Sequence, residues 1–309
     1  MTSSQVGFDG RVAIITGAGG GLGRSHALTL ATRGAKVLVN DFGGAVDGSG
    51  ASVTAAQKVV DEINGLGGVA VPNYDTVATT EGGRAIVQAA LEAFGRVDVL
   101  VNNAGILRDK AFHQMDAAMI DAVIDVHLKG AFYVTQPAFA LMRAQGYGRI
   151  VSTTSASGLF GNFGQSNYGA AKAGLVGLTR VLAIEGAIHN VKANAIAPIA
   201  STRMTEGILG ELASKVSPSS VSPLVAYLAS EECAVSGHVY SVAGGRVARV
   251  FMVESAGTVL SDNTPEAIRD HLELIDGPEI ESFFEPVSLD SETTIIAKAL
   301  ADASTASRL

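Results

Sequence analysis

The chain has 309 residues, of which 47% are hydrophobic and 17% charged, so it can bury a large core. Its formal net charge of -8 disfavours nucleic acid or an anionic membrane surface as the main partner. A single cysteine, Cys233, excludes an intrachain disulfide; neighbouring glutamates disfavour its thiolate, so we expect it to be a packing residue. No uncharged apolar run approaches the roughly 20 residues that span a bilayer, and we therefore expect no membrane association.

Short apolar runs alternate with segments of helical periodicity over most of the chain. The predicted strands are residues 11–16, 36–41, 69–74, 97–102, 149–153, 191–197 and 238–243. The predicted helices are residues 22–33, 52–64, 79–94, 116–144 (broken once), 168–187 and 222–229. Continuous apolar strands separated by helices are typical of a parallel sheet buried on both faces. The sequence therefore predicts a doubly wound (Rossmann) α/β fold with a seven-stranded parallel sheet and a C-terminal extension.

The predicted domain boundary lies near residue 245. Residues 1–245 are expected to form a dinucleotide-binding catalytic domain. Residues 246–309 form an extension with a strand-like run at 247–253. Thr264, Pro265 and Glu266 then look like an N-cap, an N1 proline and a first-turn acid that open a helix. We expect the extension to pack on the domain or on a neighbouring subunit.

A glycine-rich turn follows the first predicted strand and precedes a helix. Gly17, Gly21 and Gly23 have the spacing G-x-x-x-G-x-G, and Leu22 lies within the pattern. Glycines allow a tight turn and close backbone approach, and the helix N-terminus favours a pyrophosphate. A plain strand-to-helix turn would have similar glycines, but the position between strand and helix favours dinucleotide binding.

Two aspartates follow the second and third predicted strands. Asp41 is placed to accept hydrogen bonds from the ribose hydroxyls of NAD and to repel the extra phosphate of NADP. NAD is therefore the expected cofactor, and no metal is expected. Asp75 has two interpretations, either a position near the adenine or an N-cap for the next helix.

Three further residues suggest acid/base chemistry. Tyr168 and Lys172 are four residues apart on a predicted helix and share one face. A neighbouring ammonium would lower the phenol pKa toward a useful range. Ser155, just after the fifth strand, can hydrogen-bond a reacting carbonyl or alcohol oxygen. Alone, the tyrosine–lysine pair would be a common chance pattern.

Together these motifs resemble the short-chain dehydrogenase/reductase family over roughly residues 8–245. The resemblance rests on the glycine turn, the run Asn102-Asn103-Ala104-Gly105, Ser155, the run from Tyr168 to Lys172, and Ala197-Pro198. It implies that the serine orients substrate, the tyrosine exchanges the proton and the lysine assists while holding the nicotinamide ribose. It also implies that Asn102, Ala104 and Gly105 support the cofactor strand and that Pro198 closes the nicotinamide pocket.

One position departs from the family pattern. The family carries an asparagine in a helical N-L-x-G pattern, where it supports a water-linked proton relay to the lysine. This chain has His127 there, in the run Val126-His127-Leu128-Lys129-Gly130. A ring nitrogen of His127 is the candidate replacement in that relay.

More specific stretches resemble one branch of the family, the dehydrogenase units of peroxisomal multifunctional enzyme type 2 (17β-hydroxysteroid dehydrogenase type 4). They include Val39-Asn40-Asp41-Phe42-Gly43-Gly44, Asn73-Tyr74-Asp75 and Gly161-Asn162-Phe163-Gly164-Gln165. The resemblance implies NAD-dependent oxidation of (3R)-hydroxyacyl-CoA to 3-ketoacyl-CoA, and a homodimer or homotetramer formed through the long helices. Alternatives are a 17β-hydroxysteroid or other secondary-alcohol dehydrogenase, and a non-catalytic NAD-binding sensor.

Two features bear on localisation. Residues 1–9 lack the basic and apolar regions of a signal peptide. The composition, rich in Ala, Gly and Val, is typical of a bacterial protein, for which we expect a cytoplasmic location. In a eukaryote the terminal Ser307-Arg308-Leu309 would indicate peroxisomal import.

Overall fold

The computed structural model describes residues 5–205 and 209–277, together with Thr294. Within these residues, eight strands form one sheet in the order β3-β2-β1-β4-β5-β6-β7-β8. The strands are β1 Val12–Thr16, β2 Lys36–Asn40, β3 Val69–Asn73, β4 Val99–Asn102, β5 Gly148–Thr153, β6 Val191–Pro198, β7 Val239–Ala243 and β8 Arg246–Val250. All neighbours from β3 to β7 pair in parallel, which confirms the doubly wound fold.

The predicted number of strands is wrong by one, because β8 extends the sheet. Gly244 and Gly245 join β7 to β8 and have φ values of 53° and 88°. A two-residue turn with positive φ at both positions suits glycine and reverses the chain onto the adjacent edge. The strand-like run predicted within the extension is therefore the eighth strand of the sheet.

Helices cover both faces of the sheet. The α-helices are α1 Gly21–Ala31, α2 Thr54–Gly65, α3 Thr80–Phe94, α4 Ala117–Ile124, α5 Gly130–Gln145, α6 Ala156–Phe160, α7 Ser166–Gly186, α8 Ser222–Ala229, α9 Pro265–Asp270 and α10 Leu272–Asp276. Alternate strand residues enter two separate cores: Ile15 packs with residues of α1, α2 and α8, whereas Ile14 packs with residues of α3 and α5. Cys233 is 1% exposed in the first of these cores, as expected of a packing residue.

The break predicted in the long helical stretch is a π-helical segment, Asp125–Lys129, between α4 and α5. Such segments are rare and are often found at functional sites. This one contains His127. No helix among the described residues is both apolar and long enough to span a bilayer.

The chain divides into two compact units, Met1–Arg249 and Val250–Leu309. In the described part of the second unit, the Thr264 side chain accepts a hydrogen bond from the Ala267 N–H, which confirms the predicted N-cap of α9. The Ser255 hydroxyl donates to the carbonyl of Ile275 at 2.6 Å. Beyond β8, the packing of the extension remains a prediction, and Ser307-Arg308-Leu309 lies outside the described residues.

Candidate active site

The glycine turn lies at the carboxyl edge of the sheet, joined to the segment that follows β4. The Thr16 hydroxyl oxygen accepts hydrogen bonds from the main-chain N–H groups of Asn103 and Ala104, at 3.0 and 3.1 Å. The Asn103 side-chain amide in turn donates to the carbonyls of Thr16 and Gly17. The sequence analysis assigned no role to Thr16 or Asn103, yet these contacts fix the turn against the central strand.

The glycines of the turn are required for different reasons. A Cβ on Gly23 would lie 2.2 Å from the carbonyl oxygen of Gly17, and one on Gly17 would lie 2.7 Å from the Cα of Ala104. Gly20 is open on its outer side, and as N-cap of α1 it offers no side-chain hydrogen bond to the first turn, which begins at Gly21 and Leu22. Uncapped N–H groups at a helix N-terminus next to open space fit an anionic pyrophosphate.

Asp41 follows β2 and lies directly beside this turn. One carboxylate oxygen accepts from the Gly19 N–H and the other from the Gly43 N–H, both at 2.7 Å. A Cβ on Gly19 would lie 2.7 Å from the Asp41 carboxylate. The carboxylate is therefore fixed at the position expected for a ribose-binding residue.

Asp75 follows β3, but one of its two proposed roles is wrong. The N-cap of α3 is Thr79, whose hydroxyl accepts from the Gly82 N–H. Asp75 accepts a hydrogen bond from the side-chain amide of Asn73, and its carbonyl accepts from Asn40. A position near the adenine remains a prediction.

The segment after β4 holds three of the predicted cofactor residues. The Asn102 side chain is buried and donates to the Thr135 hydroxyl at 2.8 Å, so it fixes α5 to the sheet. Ala104 adjoins the glycine turn, as described above. A Cβ on Gly105 would lie 2.3 Å from the His127 ring, so only glycine leaves room for this histidine. Pro198 ends β6 at the same edge of the sheet.

Ser155, Tyr168 and Lys172 converge beyond the end of β5. Ser155 is the N-cap of the short helix α6, which the sequence analysis missed; its Oγ accepts from the Ser157 N–H at 3.2 Å. Lys172 Nζ lies 5.5 Å from the centre of the Tyr168 ring and donates to the Thr153 carbonyl at 2.5 Å. Tyr168 and Lys172 thus share one helical face, as predicted, and Tyr168 hydrogen-bonds with Ser155.

The expected lowering of the Tyr168 pKa by Lys172 is wrong for this structure. Burial raises the pKa of Tyr168, hydrogen bonding with Ser155 lowers it by a smaller amount, and the Asp109 carboxylate raises it further. Burial also lowers the pKa of Lys172 to about 7, so its charge is itself disfavoured. Burial is therefore the largest cause of both pKa shifts.

His127 packs its ring edge-to-face against Tyr168, with ring centres 5.1 Å apart. Its Nε2 lies 3.0 Å from the main-chain nitrogen and 2.8 Å from the carbonyl oxygen of Ile106. Nδ1 is buried and has no hydrogen-bond partner among the described residues. Burial, together with the charge of Lys172, lowers the His127 pKa well below its usual value, whereas the Ile106 hydrogen bond opposes this shift. The ring is therefore neutral near neutral pH.

A small cavity of about 10 Å³ lies between His127 and Lys172, with Asn102 and Thr16 also in its wall. This volume corresponds to roughly one water molecule.

Two groups of residues around the site were not found by sequence reasoning. Thr202 and Arg203, which follow β6, lie near the outer side of the glycine turn. Phe112, Phe160 and Phe163 are 75%, 73% and 89% exposed on the segments around Ser155 and Tyr168. Their exposure depends on loop conformation, for which the sequence carries no periodic signal.

Comparison with known proteins identifies the family. The pattern of the family described as short chain dehydrogenase matches residues 11–211. The chain belongs to the short-chain dehydrogenase family. It is therefore an oxidoreductase, and the predicted family resemblance is confirmed.

Several members are similar over most of this chain. A short-chain type dehydrogenase/reductase of Mycobacterium tuberculosis is 54% identical over 85% of this chain and 92% of its own length. Mouse peroxisomal multifunctional enzyme type 2 is 49% identical over 88% of this chain, which spans only 37% of that enzyme. The structure of the full-length enzyme of that name from Drosophila melanogaster superposes with a TM-score of 0.81 at 38% identity, over 96% of this chain and 50% of that one.

Proposed function

We propose that this enzyme oxidises the secondary alcohol of (3R)-3-hydroxyacyl-CoA thioesters to 3-ketoacyl-CoA with NAD, in fatty-acid or sterol side-chain degradation. The observation that carries the proposal is the convergence of Ser155, Tyr168 and Lys172 beside a glycine turn with an adjoining carboxylate. The similarity to multifunctional enzyme type 2 supports the choice of substrate.

In this proposal each polar group has a separate role. Ser155 Oγ accepts from a main-chain N–H, so its own hydrogen can bond either the Tyr168 oxygen or the substrate oxygen. The Tyr168 oxygen, in its ionised form, takes the hydroxyl proton as the carbonyl forms. Lys172 provides positive charge behind the phenol and binds the ribose next to the nicotinamide.

The cofactor residues are Gly17, Gly21, Leu22, Gly23, Asp41, Asp75, Asn102, Ala104, Gly105, Tyr168, Lys172 and Pro198. When bound, NAD accepts the hydride that leaves the carbinol carbon. Both oxygens of Asp41 are fixed by N–H donors, which supports NAD over NADP because a fixed carboxylate repels a 2′-phosphate. The open, uncapped N-terminus of α1 supports pyrophosphate binding there.

The three exposed phenylalanines support an apolar substrate. Phe160 ends the helix that begins at Ser155, and Phe163 lies in the loop between that helix and α7. The Lys110 N–H donates to the Gly164 carbonyl at 2.8 Å, which brings the segment of Phe112 toward this loop. An acyl chain would cover aromatic surface that is otherwise exposed to water.

We propose that His127 takes the place of the family asparagine in a water-linked relay to Lys172. The cavity between the two side chains supports this proposal, since it has room for one water. If His127 acts in the relay, His127→Ala should lower kcat and leave KM little changed. His127→Asn should retain more of the wild-type kcat than His127→Ala does.

The test is a substrate and cofactor panel. Purified enzyme should form NADH from (3R)-hydroxyacyl-CoA at a rate well above that with the (3S) isomer, NADP or a 17β-hydroxysteroid. Absence of NADH formation at every acyl-chain length would contradict the substrate assignment. Preference for the steroid would support the alternative dehydrogenase, and NAD binding without any turnover would support the sensor.

Assembly and location form a further part of the proposal. Val181, Ile184 and Ile188 are 51%, 56% and 88% exposed at the end of α7 and just beyond it, which supports a homodimer or homotetramer. Sedimentation of the enzyme, compared with an Ile188→Glu variant, tests this proposal. We propose that residues 246–309 cover the catalytic domain or a neighbouring subunit, and that the enzyme is cytoplasmic in a bacterium or peroxisomal in a eukaryote.

A further inference from the structure

A set of hydrogen bonds links Asp109 to the hydroxyl of Ser155 through Gln165 and through both the side chain and the main-chain N–H of Ser157. The Gln165 side-chain amide donates to Asp109 at 2.6 Å. The Ser157 hydroxyl donates to the Gln165 carbonyl oxygen at 2.7 Å, and the Ser157 N–H donates to Ser155 Oγ. Asp109 and Ser155 thus belong to different loops but are linked through one glutamine.

Gln165 makes hydrogen bonds at both ends of its amide. Its side-chain oxygen also accepts from Asn162 at 3.0 Å. Its main-chain carbonyl accepts from the Gly169 N–H at 2.6 Å, in the first turn of the helix that carries Tyr168. One residue therefore contacts the loop of Asp109, the helix of Ser155 and the helix of Tyr168.

We propose that Gln165 is a positioning residue for both hydroxyl groups of the site. Its amide fixes Ser157 and, through it, the oxygen of Ser155, and it holds the Asp109 carboxylate at a set distance from Tyr168. The inference rests on the proposed dehydrogenase activity and identifies two residues, Gln165 and Asp109, on which that activity depends.

An amide is the group that this position requires. A neutral amide can donate to Asp109 and accept from Ser157 at the same time, which a carboxylate cannot do. A glutamate would place a second negative charge next to Asp109 and leave Asp109 without its donor. The main-chain hydrogen bond between Lys110 and Gly164 does not involve the amide, so the loop contact is retained when Gln165 changes.

The charge at Asp109 has its own effect on Tyr168. The titratable groups that face Tyr168 are Lys172, whose pKa is lowered to about 7, His127, whose pKa lies well below its usual value, and Asp109. Asp109 raises the pKa of Tyr168, so its removal should move the phenol toward ionisation at lower pH.

The test exchanges the two partners. Gln165→Glu breaks the contact, because two carboxylates then face each other, whereas Asp109→Asn removes the charge and can still accept from the Gln165 amide. The double variant Asp109→Asn/Gln165→Glu restores the contact, with the asparagine amide donating to the glutamate. Gln165→Glu should lower kcat by about tenfold or more with little change in KM, because misplacement of a catalytic group mainly affects the chemical step. The double variant should recover most of the loss.

The matched control is Gln88→Glu on α3. Gln88 donates to Glu92 at 2.9 Å on the exposed surface, so this variant also places two carboxylates together but far from the site. It should leave kcat and its pH profile unchanged. A double variant no better than the worse single variant, or a Gln165→Glu variant with unchanged kcat, would overturn the proposal.

A second measurement separates this inference from the substrate assignment. Tyrosinate absorbance, taken as the difference between each protein and its Tyr168→Phe counterpart, reports Tyr168 ionisation without substrate. Asp109→Asn should lower the midpoint pH of Tyr168 ionisation by at least about 0.3 pH unit, and the double variant should reverse this shift. If the wild-type enzyme does not oxidise acyl-CoA but these shifts occur, the substrate assignment is wrong and the proposed network of Gln165 and Asp109 is supported. If no shift occurs, the network is wrong.

Discussion

At the amino edge of the sheet, two buried charged side chains each make several hydrogen bonds. Asp98 is 0% exposed and accepts from the Val12 N–H, from Arg11 and from both ends of the Arg96 guanidinium, at 2.6 to 3.1 Å. Arg149 is 1% exposed and donates to several main-chain carbonyls, among them Ser230 at 2.9 Å.

At the carboxyl edge, buried titratable groups have few partners. Lys172 makes one side-chain hydrogen bond, and His127 Nδ1 makes none, within the part of the chain that the structure describes. Burial lowers the pKa of Lys172 to about 7. A buried charge with few partners costs stability, so Lys172 indicates a functional site at the carboxyl edge, whereas the many hydrogen bonds of Asp98 and Arg149 indicate a structural role at the amino edge.

The largest stability loss is expected at the amino edge. Asp98→Ala leaves Arg11 and Arg96 without their buried acceptor and should lower the free energy of unfolding by about 2 to 4 kcal/mol. Turnover by the folded protein should be unchanged, because Asp98 is at the opposite edge from Tyr168. Urea unfolding and active-site titration measure the two quantities. As a control, Arg96→Met removes a 41% exposed partner and should cost less than about 1 kcal/mol. An equal loss in both variants would contradict the assigned role of Asp98.

At the carboxyl edge, removal of a buried charged group should raise the free energy of unfolding instead of lowering it. Lys172→Met should reduce turnover by at least about 100-fold and raise the free energy of unfolding by about 1 to 3 kcal/mol at pH 7. The folded-state pKa of Lys172, about 7, lies below the unfolded value of 10.5, so the unfolded chain holds more protons between these pH values. The stability gain should therefore shrink as pH rises toward 10.

The control for this variant is Lys58→Met, which removes an exposed lysine. It should change neither stability nor turnover appreciably. Destabilisation by Lys172→Met at every pH would show that the lysine is structural, and the comparison of the two edges would fail.

The fold and part of the site could be predicted from the sequence, but the hydrogen-bond partners of the site residues could not. The apolar strands and the four-residue spacing of Tyr168 and Lys172 are local patterns, so both were predicted correctly. The contact of Gln165 with Asp109 spans 56 positions along the chain and depends on two loops. The raised pKa of Tyr168 depends on burial, which the sequence does not give, and the five-residue helix α6 is too short to show periodicity.

His26 on α1 is a further buried titratable group, and only one of its two ring nitrogens has a hydrogen-bond partner among the described residues. Its Nδ1 lies 2.8 Å from the Ser222 hydroxyl, and its Nε2 has no partner among the described residues. Burial lowers the His26 pKa from 6.5 to about 3. Below pH 6.5 the unfolded chain therefore binds more protons than the folded chain. The free energy of unfolding should decrease as the pH is lowered from about 6 to about 4.

His26 alone contributes about 1.4 kcal/mol per pH unit over that range. His26→Gln should flatten the acid limb of stability, measured by urea unfolding at pH 7, 6, 5 and 4, and leave kcat unchanged at pH 7. His127 adds a slope of the same sign, so some acid sensitivity should remain. An unchanged acid limb in His26→Gln would mean that water reaches the ring.

The central proposal is that Tyr168 moves the substrate proton, while the other cofactor residues supply most of the affinity for NAD. The direct measurement is the turnover of Tyr168→Phe beside its NADH affinity. We predict that kcat falls by at least about 100-fold, while the dissociation constant for NADH stays within about twofold of wild type. Turnover that persists in Tyr168→Phe, or a parallel loss of NADH binding, would contradict the account.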